Sequence, residues 1–354
     1  MIQLFFAGEY SFKFGEGRYY DLFDFGYSRL YSYHYQRKTV DAVIGRMNDK
    51  EKFMDLFLVG PEKEVILNTL SKEEHFNMLF SYTAGKSIDK FLKLPKKVFI
   101  DSGAFSAWTR GEVIDVDEYI KWINDRSEYI SLYGQLDVIP GTRTGGAPTA
   151  DEVREAAQKT WENYLYMRPK MKNPDGLLYT FHVGEPKEFL VRALEWMDDN
   201  GNHIPYIAFG GMVGKSYPVR LAFLTMCYDV IKNSSNPNVK VHAFGMTDKQ
   251  LLTEFPITSA DSTSWIMVGA AGGIASDFGV IPVSSQRSNQ KGHYTNVLPG
   301  AEEITDLSKI EKYGFTLDEL AESRDKRLIH NARYHMDKIS QIKRVNVVKR
   351  RALF

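Results

Sequence analysis

Asp101, in the run Asp101-Ser102-Gly103-Ala104-Phe105, and Asp261, in Asp261-Ser262-Thr263, are the acids of this chain best placed by sequence to do chemistry. Each stands at the end of a short apolar run, Lys97-Val98-Phe99-Ile100 in one case and Phe255-Pro256-Ile257-Thr258 in the other. Carboxylates delivered by separate strand ends to one mouth suit substitution at a sugar carbon, where one attacks as nucleophile and the other moves protons. Asp101 ahead of Ser-Gly also has the pattern of a turn former or helix cap, and that reading stands beside the chemical one.

The elements that must position these acids are read from periodicity. Apolar runs at 2–6, 77–82, 97–101, 133–139, 177–183, 205–210, 239–244 and 257–261 alternate with amphipathic helical stretches. Asp115 with Glu118, Thr149 with Glu152, and Thr247 with Gln250 have capping-box spacing at the start of helices. Strand–helix alternation of this kind predicts an α/β protein, a closed (β/α)8 TIM barrel, with an open doubly wound sheet as the alternative. The barrel domain is expected over 1–315, with an insertion at about 8–76 after the first strand and a long Gly/Ser/Asn-rich loop at about 266–300. A C-terminal helix and basic tail occupy 316–354, where Thr316 and Glu319 repeat the capping-box spacing.

The insertion is rich in aromatics, from Tyr19 and Tyr20 to Tyr33 and Tyr35, interleaved with Arg18, Arg29, Arg37 and Lys38. Such a stretch either stacks on unpaired bases or forms the core of a subdomain. Overall charge is balanced, 45 basic against 45 acidic residues, and gives no global bias toward nucleic acid. The segment from Arg324 to Arg351 is locally basic, so Arg344, Lys349, Arg350 and Arg351 are candidate phosphate contacts, with a solvated helix face and tail as the other reading. The one cysteine, Cys227, excludes an internal disulfide and a cysteine-based zinc site. With no apolar stretch near membrane length and no leader pattern, the expectation is a soluble cytoplasmic protein with no membrane partner.

Polar residues and glycines gather where the strands should stop: Asp101-Ser102-Gly103, then Gln135-Leu136-Asp137, then His182-Val183-Gly184-Glu185. Gly210-Gly211, Gly245-Met246 and Asp261-Ser262 follow in turn. In a barrel these ends share the face that carries active sites. Singly, each residue has a plainer use. Asp137 inside an apolar run fits a structural hydrogen bond, His182 and His242 fit satisfied core positions, and Gly210-Gly211 fits either a tight turn or close approach of a flat ring.

Taken in order, these segments resemble the tRNA-guanine transglycosylase superfamily, and most of all its branch of 7-deazaguanine DNA transglycosylases of phages and bacteria. Asp101-Ser102-Gly103-Ala104-Phe105 is similar to the family's DSGGFQ segment, and Phe209-Gly210-Gly211-Met212-Val213-Gly214 to GGLAVGE. Ala243-Phe244-Gly245-Met246-Thr247 resembles the glycine turn that follows, and Asp261 stands where the family places its nucleophile. The resemblance covers about 77–265.

It implies a pentosyltransferase that exchanges guanine in DNA for a free 7-deazaguanine base, 7-cyano-7-deazaguanine being the expected donor. Asp261 would form a covalent sugar intermediate and Asp101 would carry protons. Asp137 would read the purine edge and Gly210-Gly211 would offer backbone contacts, with Ser102, Gly103, His182 and Met246 lining the same base site. The guanine would be flipped out of the DNA stack, and no cofactor or metal is implied.

The chain departs from the family in two places. It lacks the three cysteines of the tRNA enzymes' zinc site, with His330 and His335 expected on a helix surface, and Ser262-Thr263-Ser264-Trp265 replaces the basic stretch after the nucleophile. The alternatives are a tRNA-guanine transglycosylase without zinc, a phosphate-binding barrel enzyme acting on a small metabolite, and a non-catalytic barrel that binds nucleic acid.

Overall fold

A computed structural model describes residues 44–45, 54–60, 62–142, 146–277, 279–284, 308–342 and 346–347. Its centre is a closed parallel barrel of eight strands. These are β1 (Asp55–Gly60), β2 (Asn77–Ser81), β3 (Val98–Asp101), β4 (Leu132–Gly134), β5 (Leu177–His182), β6 (Tyr206–Gly210), β7 (Lys240–Ala243) and β8 (Ser259–Ser262). Closure is made by β1 against β8, with Phe57 opposite Asp261 and Leu58 opposite Ser262. The (β/α)8 expectation therefore holds.

The first barrel strand differs from the sequence reading. It is Asp55–Gly60, inside the stretch assigned to an insertion, and it pairs with both β2 and β8. Leu56, Phe57 and Leu58 are fully buried in it, because a barrel strand covered on both faces needs a continuous apolar run rather than alternation. Residues 2–6 and the aromatic stretch from Tyr19 to Tyr35 lie outside the described residues.

Strand β4 is also shorter than the expected 133–139. Beyond Gly134 the helix Ala150–Met167 supplies the partners: Thr160 Oγ1 accepts the Val138 amide at 2.9 Å, and Asn163 Nδ2 donates to the Leu136 carbonyl at 2.8 Å. Side chains of the helix thus satisfy backbone groups that a ladder would otherwise hold.

Interior and exterior follow from the two-residue period of the strands. Phe57, Leu79, Phe99, Leu178, Tyr206 and Ala208 form a separate cluster that fills the barrel, while a larger apolar layer joins the strands to the surrounding helices. Two residues beyond Phe99 on the same face comes Asp101, and two beyond Ser259 comes Asp261. The apolar plug thus sits beneath the acids and seals the floor of the mouth.

The expected caps form with one shift. Asp115 accepts the Glu118 amide, and Thr149/Glu152 and Thr316/Glu319 make complete capping boxes. Before Lys249–Glu254, however, the cap is Asp248 and not Thr247, because the Asp248 carboxylate accepts two amides, from Gln250 and Leu251. A cap of this kind contributes about 1 kcal/mol.

The stretch expected as a loop from 266 begins as structure. Ser264–Ala270 is a short helix, and Gly273–Ser276 pairs with Gly279–Pro282 as an antiparallel hairpin. Its glycines serve packing and turning: a Cβ on Gly269 would lie 2.6 Å from Leu328 Cδ2, and Gly272 has φ +86°.

The helix that packs there, Arg324–Ser340, has most of its basic side chains engaged within the protein. Arg327 is buried and donates to the carbonyls of Gly269, Leu320 and Ala321. Arg324 pairs with Glu62, Arg333 with Glu73, Lys326 with Glu319 and Lys338 with Asp277. This part of the basic segment therefore clamps the helix to its neighbours. His330 is not a surface residue either, and His335 is half-buried. His330 is fully buried with Nε2 3.2 Å from the Ala275 carbonyl, and His335 Nε2 meets Ser264 Oγ at 3.1 Å. Burial lowers both imidazoles to about 4.

Candidate active site

The C-terminal ends of the strands bring Asp101, Asp137, His182 and Asp261 into mutual electrostatic range at the mouth of the barrel. Asp101 ends β3. Its Oδ2 accepts the Gly103 amide at 3.0 Å, and Gly103 takes φ +71° as the chain turns into the helix Ala104–Arg110. Ser102 is buried between them and its Oγ accepts the Ala104 amide at 3.4 Å. Burial raises the Asp101 carboxyl to about 7, and the carboxylates of Asp137 and Asp261 push the same way. The Gly103 amide and His182 oppose that shift without cancelling it. A carboxyl that gains and loses a proton near neutrality is what proton transfer at a reacting centre needs.

Asp137 lies past the end of β4, where Gln135 Nε2 reaches its Oδ1 at 3.3 Å. Burial raises its carboxyl, and His182 and Gln135 work against the rise. His182 closes β5 with Nε2 3.6 Å from Asp137 Oδ2 and Nδ1 2.9 Å from Glu185 Oε1. Burial disfavours its charge, but the surrounding carboxylates of Asp137, Glu185 and Asp101 outweigh burial and lift the imidazolium to about 9. The ring is thus a cation at neutral pH, set among acids. Gln135 Oε1 is buried without a hydrogen-bond partner among the described residues and is a further acceptor in this region.

Gly210 and Gly211 let the backbone of β6 pass close to this ring. A Cβ on Gly210 would fall 2.4 Å from His182 Cδ2, and Gly211 has φ +73°. The Gly210 carbonyl accepts the Val183 amide at 3.1 Å, which ties the ends of β5 and β6 together.

Asp261 is almost enclosed, its side chain keeping 9 % of its surface open. Its Oδ1 accepts twice, from the Gly245 amide at 2.8 Å and from His242 Nε2 at 3.2 Å. Its Oδ2 has no hydrogen-bond partner among the described residues, which leaves that oxygen for a ligand. The two acids therefore differ: the Asp101 carboxyl is raised to about 7, and Asp261 has one oxygen held by two donors.

Of the expected base-site residues, Met246 is not brought to the mouth. It is fully buried, with Arg220 Nη1 3.8 Å from its sulfur. It supports the turn that carries Gly245. Beside it Phe244 is half-buried, its ring 5.5 Å from that of Phe99 and 4.6 Å from that of His242. Sequence reasoning did not single out Phe244, although its spacing of two from His242 marks both as inward-facing. Arg344, Lys349, Arg350 and Arg351 lie outside the described residues.

Among the described residues no group of three or more His, Cys, Asp and Glu side chains is arranged to hold a metal ion. No helix among them is long and apolar enough to cross a membrane. No protein-family model matches this chain, and no curated protein matches its sequence.

Proposed function

We propose that the protein is a DNA-guanine transglycosylase, exchanging a guanine base in DNA for a 7-deazaguanine such as 7-cyano-7-deazaguanine. The observation that carries this reading is the contrast between the two acids at one mouth. Asp101 holds a proton near neutral pH, and Asp261 presents one oxygen while donors occupy the other.

In the first half-reaction Asp261 Oδ2 attacks C1′ of the flipped-out nucleotide, the C1′–N9 bond breaks, and guanine leaves with the proton of Asp101. In the second, N9 of the incoming base attacks C1′, its proton passes to Asp101, and the bonding pair of C1′–Oδ2 returns to Asp261. Two carboxyls with these roles are the retaining solution for an oxocarbenium-like transition state. Asp137 and cationic His182 suit a guanine edge, which offers N–H donors beside a carbonyl acceptor. DNA is favoured over tRNA because the single cysteine cannot build the zinc site of the tRNA enzymes.

The test is nucleoside mass spectrometry of plasmid DNA and of bulk tRNA after incubation with the protein and 7-cyano-7-deazaguanine. A deazaguanine deoxynucleoside that vanishes with Asp261→Ala is the expected result. Product in tRNA alone would move the reading to the tRNA substrate, and product in neither polymer would remove it.

A further inference from the structure

The barrel interior holds a row of polar groups amid its aromatic filling, and that row ends on Asp261. Tyr206 OH lies 2.7 Å from Ser259 Oγ, Ser259 Oγ lies 2.6 Å from His242 Nδ1, and His242 Nε2 lies 3.2 Å from Asp261 Oδ1. His242 and Ser259 are fully buried. The imidazole is held by the rings of Phe99 and Phe244, each with its centroid 4.6 Å away, and by Phe57 at 6.0 Å.

An ionised carboxylate can only accept, so the proton facing Asp261 sits on Nε2. Nδ1 then accepts a hydrogen bond from the Ser259 hydroxyl, and Ser259 Oγ in turn accepts from Tyr206. This arrangement satisfies every polar atom along the row, and buried polar rows persist where they are fully satisfied.

Resting on the base-exchange reading, we propose that His242 is a positioning residue that sets how readily Asp261 leaves the sugar in the second half-reaction. When Oδ2 is bonded to C1′, Oδ1 is an ester carbonyl. As that bond breaks, negative charge returns to the carboxylate, and the donors already aimed at Oδ1 strengthen against it. A donor that meets charge only as it develops favours bond breaking over the resting ester. Removing His242 takes away one of those donors, so it slows breakdown of the intermediate more than its formation.

The test compares His242→Gln, His242→Asn and His242→Phe in the full-length protein, with guanine-containing DNA and 7-cyano-7-deazaguanine. Gln carries an N–H near the place of Nε2, Asn is polar but too short to reach it, and Phe keeps only the ring. Expected is a fall in kcat of roughly 100-fold for Asn and Phe and less than 10-fold for Gln, as for loss of a single buried donor to a developing anion. KM for DNA should fall in step, leaving kcat/KM for DNA within about 5-fold of wild type, with covalent protein–DNA adduct accumulating on denaturing gels.

Ser259→Ala removes one hydroxyl and keeps the ring, and should shift adduct level in the same direction. It serves as the reading if the His242 variants melt early. Adduct that fails to accumulate, or kcat/KM for DNA that falls as far as kcat, overturns the proposal while exchange by the wild type stands. A wild type that neither exchanges bases nor forms adduct removes the base-exchange reading itself.

Discussion

Asp101 and Gly103 are joined by a hydrogen bond of 3.0 Å from the glycine amide to the carboxylate, across a turn in which Gly103 has φ +71°. The bond exists because the backbone folds back within two residues, in a conformation that L side chains rarely adopt. A Cβ there would also lie 2.6 Å from both Ser81 Oγ and Thr83 Cγ2. Gly103→Ala is therefore expected to destabilise the protein by about 1–3 kcal/mol in denaturant melts. Exchange should fall by more than the unfolded fraction accounts for, since the Asp101 carboxyl is displaced as well.

Asp101→Asn should abolish base exchange and yet stabilise the fold in a pH-dependent way. The folded carboxyl titrates near 7 against 3.8 when unfolded, so the folded state binds the extra proton between those values. Wild-type stability thus falls as pH rises from about 4 to 7, by roughly 2–4 kcal/mol from this group. The amide does not titrate. Melts of the two proteins should converge near pH 4 and separate by pH 8, with the variant the more stable, and no separation would mean that the carboxyl is not held protonated.

His182 gives the opposite test. Its imidazolium is raised from 6.5 to about 9, so its contribution to stability is fully present below about 6.5 and is lost as pH rises through 9. His182→Gln should be less stable than wild type at pH 6, with the deficit gone near pH 10. Gly210→Ala, whose Cβ would press on the ring at 2.4 Å, should raise KM for the free base several-fold. An unchanged KM would place the base elsewhere.

Arg327 supports the site from a distance. Its guanidinium satisfies three carbonyls, one of them Gly269 at the end of the helix that follows Asp261. Arg327→Met keeps the bulk and strands those acceptors, so a loss of about 2 kcal/mol or more is expected in thermal or denaturant melts. A loss of a few tenths would mean that water replaces the arginine.

The barrel and its acids were legible because both rest on local pattern: apolar runs end in Asp101, His182 and Asp261, and capping boxes mark Thr149 and Thr316. What escaped was set by tertiary context. Strand β1 carries the same composition as any buried apolar run, and only its pairing with β2 and β8 identifies it. The basic helix Arg324–Ser340 reads as solvated by charge alone, since partners such as Glu62 and Glu73 are more than 250 positions away in the chain. Met246 and Phe244 both flank Gly245, and which of them faces a ligand depends on where the chain leaves β7.

The ring of strands closes at β1 and β8, and Asp261 stands on that seam opposite Phe57. A chain halted before its last strand would own Asp101, Asp137 and His182 but neither Asp261 nor Ser259. Closing the ring joins residues about 200 positions apart, an intrinsically slow step for a chain searching for its partners. Asp261 therefore joins the other acids only when the ring is complete.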